Sequence, residues 1–227
     1  MIVGGHEVRL VPNGIDRKVS GTARFLARVV NKSYFHVEVI GTENVPSPPF
    51  LISPVHRSNL DTILTASLTK HGLRYMGKDS LWKVGWAGKV FSALGGIPVN
   101  RDLADREAVD MCVSLLTHGQ SLVLFPEGGR RDGLTVKDIH DGASFIALKA
   151  KVPIIPVGIA GSSDAWPKGT KFPRPKRCVM VIGKPLLESV TYDPAGKRIA
   201  RSKIKELTSS LETELQRLLD EAVSRLE

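Results

Sequence analysis

The feature that most restricts the fold of this chain is a rhythm in its middle. Residues 73–76, 96–99, 121–125 and 153–159 are short apolar runs that read as strands, and residues 80–94, 105–118 and 141–151 between them read as amphipathic helices. Strands separated by helices are joined by crossovers rather than hairpins, so most of them must run parallel and lie between helical layers. The rhythm predicts an α/β fold: a single domain with a central mixed, largely parallel sheet flanked by helices. In such sheets the working loops sit at the carboxyl ends of the strands.

Both ends of the chain add helices to this plan. Residues 16–32 (DRKVSGTARFLARVVNK) set Val19, Phe25, Leu26, Val29 and Val30 among Arg17, Lys18, Arg24, Arg28 and Lys32, the pattern of an N-terminal basic amphipathic helix. Helices of this kind can lie in a membrane interface, although packing the stripe on their own domain is the commoner use. Residues 34–40 alternate like a half-buried strand that ends at Gly41, with His36 in a structural role, and residues 177–182 read as a last strand. Ile204, Leu207, Leu211, Leu215, Leu218, Ala222 and Leu226 recur at helical spacing as a C-terminal helix covering the core. Residues 1–227 are thus expected to form one domain, with 15–33 as a candidate membrane-interface helix, 39–183 as the motif-bearing core and 201–226 as the C-terminal helix.

With 227 residues and 42% hydrophobic content the chain can bury one large core. Its 32 Lys and Arg against 23 Asp and Glu leave a net charge of +9, which favours nucleic acid, an anionic membrane surface or phosphorylated substrates. No helix-turn-helix pattern, RNA-binding signature or zinc motif supports the nucleic-acid option. Cys112 and Cys178 each fall in an apolar segment, without Cys-x-x-Cys or zinc-finger spacing, which points to a reducing compartment and no structural metal. The start of the chain lacks a signal-peptide pattern, and its longest stretch free of Lys, Arg, Asp and Glu, residues 111–126, is interrupted by Thr117-His118-Gly119-Gln120-Ser121. The expectation is a peripheral protein on the cytoplasmic side of a membrane, without a transmembrane helix.

Two further stretches bear on lipid. The segment at 80–94 carries Leu81, Trp82, Val84, Trp86, Val90, Phe91 and Leu94, a surface for an acyl chain or for ordinary core packing. Residues 165–177 (AWPKGTKFPRPKR) hold five basic residues, no acid, and the aromatics Trp166 and Phe172, a composition suited to anionic headgroups or to a solvated loop.

The chemistry is concentrated in Val55-His56-Arg57-Ser58-Asn59-Leu60-Asp61, directly after the proline-flanked apolar run that ends at Pro54. Five residues of ideal helix rotate a side chain by about 500°, so His56 and Asp61 cannot face each other on a regular helix. They can meet across a turn, with His56 in the loop and Asp61 early in the next helix. The carboxylate would then fix one ring nitrogen and leave the other to take a proton from a hydroxyl. The plainer reading is a loop histidine beside a helix-capping aspartate. Two other strand exits carry arginines: Gly95 to Arg101 (GGIPVNR), and Phe125 to Gly133 (FPEGGRRDG), where Glu127, Gly128, Arg130 and Arg131 stand in a glycine-rich turn. Arginines there can clamp a phosphate and glycines let backbone approach it, or both stretches are solvated surface turns.

Taken in order, His-x-x-x-x-Asp, Gly-Ile-Pro-Val-Asn-Arg, Phe-Pro-Glu-Gly-Gly-Arg and Val152-Pro153-Ile154-Ile155-Pro156-Val157 closely resemble the four blocks of the glycerolipid acyltransferase family, over about residues 39–183. Its best-known members are the 1-acyl-sn-glycerol-3-phosphate acyltransferases. The resemblance implies His56 as general base and Asp61 as its partner. It implies Arg101, Glu127, Gly128 and Arg130 on the acceptor and its phosphate, and Pro156 nearer the acyl donor. The implied reaction moves a fatty acyl group from acyl-CoA or acyl carrier protein, the co-substrate, to a hydroxyl of lysophosphatidic acid or glycerol-3-phosphate, with no further cofactor. The third block departs from the usual Glu-Gly-Thr-Arg-Ser, with Gly129 for the threonine and Arg131 for the serine, which bears on the acceptor more than on the reaction. Alternatives are a lysophospholipid acyltransferase or transacylase with another acceptor, and a non-enzymatic module for anionic lipid or nucleic acid. A hydrolase using Ser58 is disfavoured by the missing Gly-x-Ser-x-Gly elbow.

Overall fold

The computed structural model describes residues 2–3, 6–83, 85–99, 106–186 and 199–227. In chain order its elements are β1 (Ile2–Val3), β2 (His6–Glu7), α1 (Gly14–Ser33), β3 (Glu38–Ile40), β4 (Leu51–Pro54), α2 (Leu60–Ala66), β5 (Leu73–Lys78) and α3 (Gly85–Ala93). There follow β6 (Gly96–Val99), α4 (Arg106–Thr117), β7 (Ser121–Val123), α5 (Gly142–Ala150), β8 (Ile154–Ala160), α6 (Ser162–Ala165), β9 (Val179–Ile182) and α7 (Arg201–Ser224).

Seven strands form one sheet in the order β3-β9-β8-β4-β7-β5-β6. Five neighbours, β8-β4-β7-β5-β6, are mutually parallel; β9 pairs with β8 antiparallel and β3 follows β9 in parallel. This is the mixed, largely parallel α/β sheet that the rhythm predicts. Strands β4, β7, β8 and β9 are buried at every position, as strands covered on both faces must be.

The strand order also sorts the helices. From β4 through β5 to β6 the chain moves outward along the sheet, and from β6 through β7 to β8 it moves back. Right-handed crossovers then place α2 and α3 on one face and α4 and α5 on the other. Packing agrees: α4 meets α5 and α5 meets α7, while α1 lies over α2 and α3. The reversal leaves the carboxyl ends of β4 and β7 side by side, which is where the site forms.

The terminal helices dock in opposite senses. In α7, Leu207, Leu211, Leu215, Leu218 and Ala222 are buried on the sheet. Gly158 of β8 lets that helix sit on the strand, because a Cβ there would collide with the backbone of Leu218. Helix α1 opens with a capping box: Asn13 Oδ1 accepts from the Asp16 N–H at 2.7 Å and Asp16 Oδ2 from the Asn13 N–H at 3.2 Å. It is held to α2 by polar groups. Asn31 Nδ2 donates to Ser67 Oγ at 2.9 Å and Arg28 Nη2 to the Thr69 carbonyl at 2.8 Å. Its apolar stripe faces away, with Ile15 71%, Phe25 65% and Leu26 55% exposed.

Two sequence expectations are corrected. The strand expected over 34–40 is β3 alone: Tyr34 caps α1, His36 takes a positive φ of 46°, and Phe35 plugs the core before the chain extends. The helix expected over 80–94 is a 3-10 turn (Asp79–Trp82) followed by α3. Trp82 is buried against Gly88, where an added Cβ would meet its Cδ1 at 3.0 Å, and its Nε1 donates to Ser92 Oγ at 2.9 Å. On one continuous helix those six residues would separate Trp82 from Gly88 by about 9 Å along the axis, so the break lets the indole fold back.

Candidate active site

His56 follows the carboxyl end of β4 and Asp61 is the second residue of α2. The turn between them brings His56 Nδ1 within 3.0 Å of Asp61 Oδ2. The same oxygen accepts the backbone N–H groups of Arg57 and Ser58, each at 2.7 Å, so the turn is folded around this carboxylate. A carboxylate only accepts, so Nδ1 is the donor of this hydrogen bond, and in the neutral ring Nε2 is then the acceptor nitrogen. The Asp61 side chain is sealed at 0% exposure while that of His56 keeps 14%. The ring lies on Phe125, centroids 4.0 Å apart and planes 25° from parallel.

The adjacent turn after β7 supports the first. Glu127 Oε2 accepts the His56 backbone N–H at 2.6 Å, and both Glu127 oxygens accept from Arg57 Nη1 at 2.7 Å. Arg57 Nη2 also donates to the Thr135 carbonyl, and the Arg131 N–H donates to the His56 carbonyl at 2.9 Å. Ser58 Oγ donates to the Trp166 carbonyl at 2.8 Å and accepts from the Leu60 N–H; it is buried and fully engaged, which leaves no serine nucleophile beside His56.

His56 opens onto a cavity of about 480 Å³ between the carboxyl ends of β5, β6 and β7 and the helices α4 and α5. Its walls are mostly apolar, with Met76, Val99, Val109, Val123 and Ile146 among them, and His140 joins His56 in the lining. Burial pushes the Tyr75 phenol above its ordinary range, so it stands in the wall as a neutral group. Gly128, at φ +68°, leaves room for the His140 ring, whose Cδ2 would lie 2.7 Å from an added Cβ. A proton acceptor beside an apolar cavity of this size can activate a hydroxyl next to a long hydrocarbon chain.

The family model described as Acyltransferase matches residues 36–160, more than half of the chain. The chain belongs to the Acyltransferase family. Among curated relatives, it is 27% identical to the chloroplastic 1-acyl-sn-glycerol-3-phosphate acyltransferase BAT2 of Brassica napus, over 89% of this chain and 61% of that protein. It is 29% identical to the 1-acyl-sn-glycerol-3-phosphate acyltransferase of Saccharomyces cerevisiae, over 71% of this chain and 55% of that one. The chain thus spans about half to three fifths of the length of the curated relatives it matches. Its fold matches the crystal structure of the 1-acyl-sn-glycerophosphate acyltransferase PlsC from Thermotoga maritima with a TM-score of 0.68 at 22% identity, covering 89% of this chain and 81% of that chain.

In this acyltransferase-family chain the structure brings together His56, Asp61, Glu127 and Gly128. Arg130 is exposed on the same turn as Glu127. Arg101 lies outside the described residues, as does Asn100. Glu127 does not line the cavity; it is buried against Arg57 and the His56 backbone. Pro156 is buried in β8 opposite Ser53 of β4 and is not part of the cavity lining either. None of Trp82, Val90, Phe91 and Leu94 lines the cavity; Trp82 is core and Val90 is exposed. Sequence reasoning missed Arg57, Phe125 as the platform of the ring, and His140. A buried charge directly after the histidine has no local signature, since its partner lies 70 residues away.

Proposed function

We propose that the chain is an O-acyltransferase that moves a fatty acyl group from acyl-CoA, or acyl carrier protein, to the free hydroxyl of lysophosphatidic acid, with glycerol-3-phosphate as the second acceptor to consider. The observation that carries this reading is the His56–Asp61 pair at the wall of an apolar cavity, in a chain of the Acyltransferase family. The curated relatives, 1-acyl-sn-glycerol-3-phosphate acyltransferases by name, support the lysophosphatidic acid acceptor.

In this mechanism His56 Nε2 takes the proton of the acceptor hydroxyl as the oxygen attacks the thioester carbonyl. Asp61 holds the ring and stabilises the imidazolium. The tetrahedral intermediate collapses, the C–S bond breaks, and the thiolate leaves with the proton returned by His56, so protons balance over the cycle. Arg130 and Arg101 bind the acceptor phosphate and orient its hydroxyl. Transfer is direct. Burial pushes the thiols of Cys112 and Cys178 each up to about 12, with the Asp61 and Asp164 carboxylates adding to the effect on Cys178, so neither supplies a thiolate.

The acceptor and its product are amphiphiles, and the surface suits a membrane. Ile15, Phe25, Leu26, Val29 and Val30 form one stripe on α1 that is exposed to solvent, with Lys18 and Lys32 beside it. Phe172 is 79% exposed in the basic loop at 166–177, and Tyr34 at the end of α1 donates its hydroxyl to the Pro173 carbonyl of that loop at 3.1 Å. We infer a peripheral site on an anionic bilayer through these two segments. Among the described residues no helix is long and apolar enough to cross a membrane.

The test is thiol release from palmitoyl-CoA with lysophosphatidic acid and glycerol-3-phosphate compared side by side on anionic vesicles. Release that depends on lysophosphatidic acid and yields phosphatidic acid is expected. Release without any acceptor, or none with either acceptor, contradicts the proposal.

A further inference from the structure

We propose that the buried Arg57–Glu127 pair is a positioning device for the base, and that Glu127 acts on His56 through the backbone without touching the acceptor. The inference rests on the acyltransferase reading for its kinetic arm alone. Glu127 comes from the turn after β7 and Arg57 from the turn after β4, and these two strands are neighbours. Their side chains are 0% and 4% exposed. Neither lines the cavity that His56 enters.

Both carboxylate oxygens of Glu127 are engaged inside the protein. Oε2 takes the His56 N–H and an Arg57 Nη1–H, and Oε1 takes Nη1 as well. A carboxylate turned this way has no free face for a glycerol phosphate, and like charge would repel the phosphate. Arg57 neutralises the buried carboxylate and ties the loop again through the Thr135 carbonyl. The backbone of residues 56–58 is thereby gripped from two sides: Asp61 holds the N–H groups of Arg57 and Ser58, and Glu127 holds that of His56. Three consecutive N–H groups with carboxylate acceptors leave the loop little freedom. The ring is then delivered to Asp61 Oδ2 and to the face of Phe125 by a fixed backbone. The acceptor phosphate is left to arginines outside this pair; Arg130 and Arg131 stand exposed on the turn that carries Glu127.

The test joins a spectroscopic readout to kinetics, on full-length protein with 15N-labelled histidine. In the wild type the His56 ring should appear as the Nδ1–H tautomer, with a downfield Nδ1 proton held by Asp61. In E127Q, and in the R57M/E127M variant that removes both buried charges together and so protects folding, that proton should broaden and the Nε2–H tautomer should gain population. The same variants should lose about tenfold or more in kcat while the KM for the acceptor stays within about twofold, whereas R130A, at a phosphate-binding residue, should raise that KM. An E127Q protein with a raised acceptor KM, an unchanged kcat and an unchanged Nδ1–H signal would show Glu127 on the acceptor and overturn the inference. So would R57M/E127M with wild-type kcat and wild-type ring signals. The ring signals need no substrate, so a wild type inactive with every acceptor would sink the acyltransferase reading while this arm still decides the positioning role.

Discussion

Helices α1 and α7 carry the same kind of sequence, an apolar stripe at helical spacing among charges, yet one turns that stripe inward and the other outward. On α7, Leu211, Leu215 and Leu218 have no exposed surface, and the helix lies on β8 where Gly158 removes the obstacle to close approach. On α1 the polar residues Asn31 and Arg28 meet the domain and satisfy the carbonyls of Ile63, Ser67 and Thr69 at and beyond the end of α2, and Arg24 lies against Gly72. Periodicity identifies a stripe; what covers it depends on where the free carbonyls and the bare strand surface lie. The outward stripe of α1 is what an anionic bilayer would bury.

The largest effect that would separate the two helices is Leu215→Ala, expected to cost about 2–5 kcal/mol in urea unfolding because a fully buried side chain leaves a cavity. A loss below half a kcal/mol would mean that α7 is not core. Next in size is Asn31→Ala, which removes a nearly buried donor to Ser67 Oγ and the Ile63 carbonyl and should cost about 1 kcal/mol by the same measurement. An unchanged midpoint would show that α1 is held by something other than these polar contacts. Smallest in stability is the Phe25→Ser/Leu26→Ser pair, expected within about 0.5 kcal/mol of the wild type. That pair should nonetheless weaken sedimentation with phosphatidylglycerol vesicles severalfold. Vesicle binding equal to the wild type, or a stability loss like that of Leu215→Ala, breaks the contrast between the helices.

The strand–helix rhythm made the parallel centre of the sheet legible, because period and length alone distinguish crossover-linked strands from hairpins. The meeting of His56 and Asp61 was legible too, since five residues that cannot face each other on a helix can do so across a turn. The direction of β9 was not: a run such as Val179–Ile182 is equally apolar in either orientation. The break between the 3-10 turn and α3 depends on Trp82 seating on Gly88, a contact that the helical period conceals. The split within the glycine-rich turn, Glu127 facing in and Arg130 facing out, depends on Arg57 arriving from a neighbouring strand end. No local pattern encodes that pairing. The cavity is likewise a product of topology, assembled from β5, β6, β7, α4 and α5 after they pack.

The central claim is that His56, held by Asp61, is the base of a direct acyl transfer. Its most direct test is acceptor-dependent thiol release from palmitoyl-CoA by the wild type and by folded His56→Ala, with lysophosphatidic acid at saturation. The account predicts a loss of at least about a hundredfold in kcat for the variant, in keeping with removal of a general base, and no acylated protein in either. His56→Ala at wild-type rate, or a trapped acyl-protein on the way to product, would contradict it.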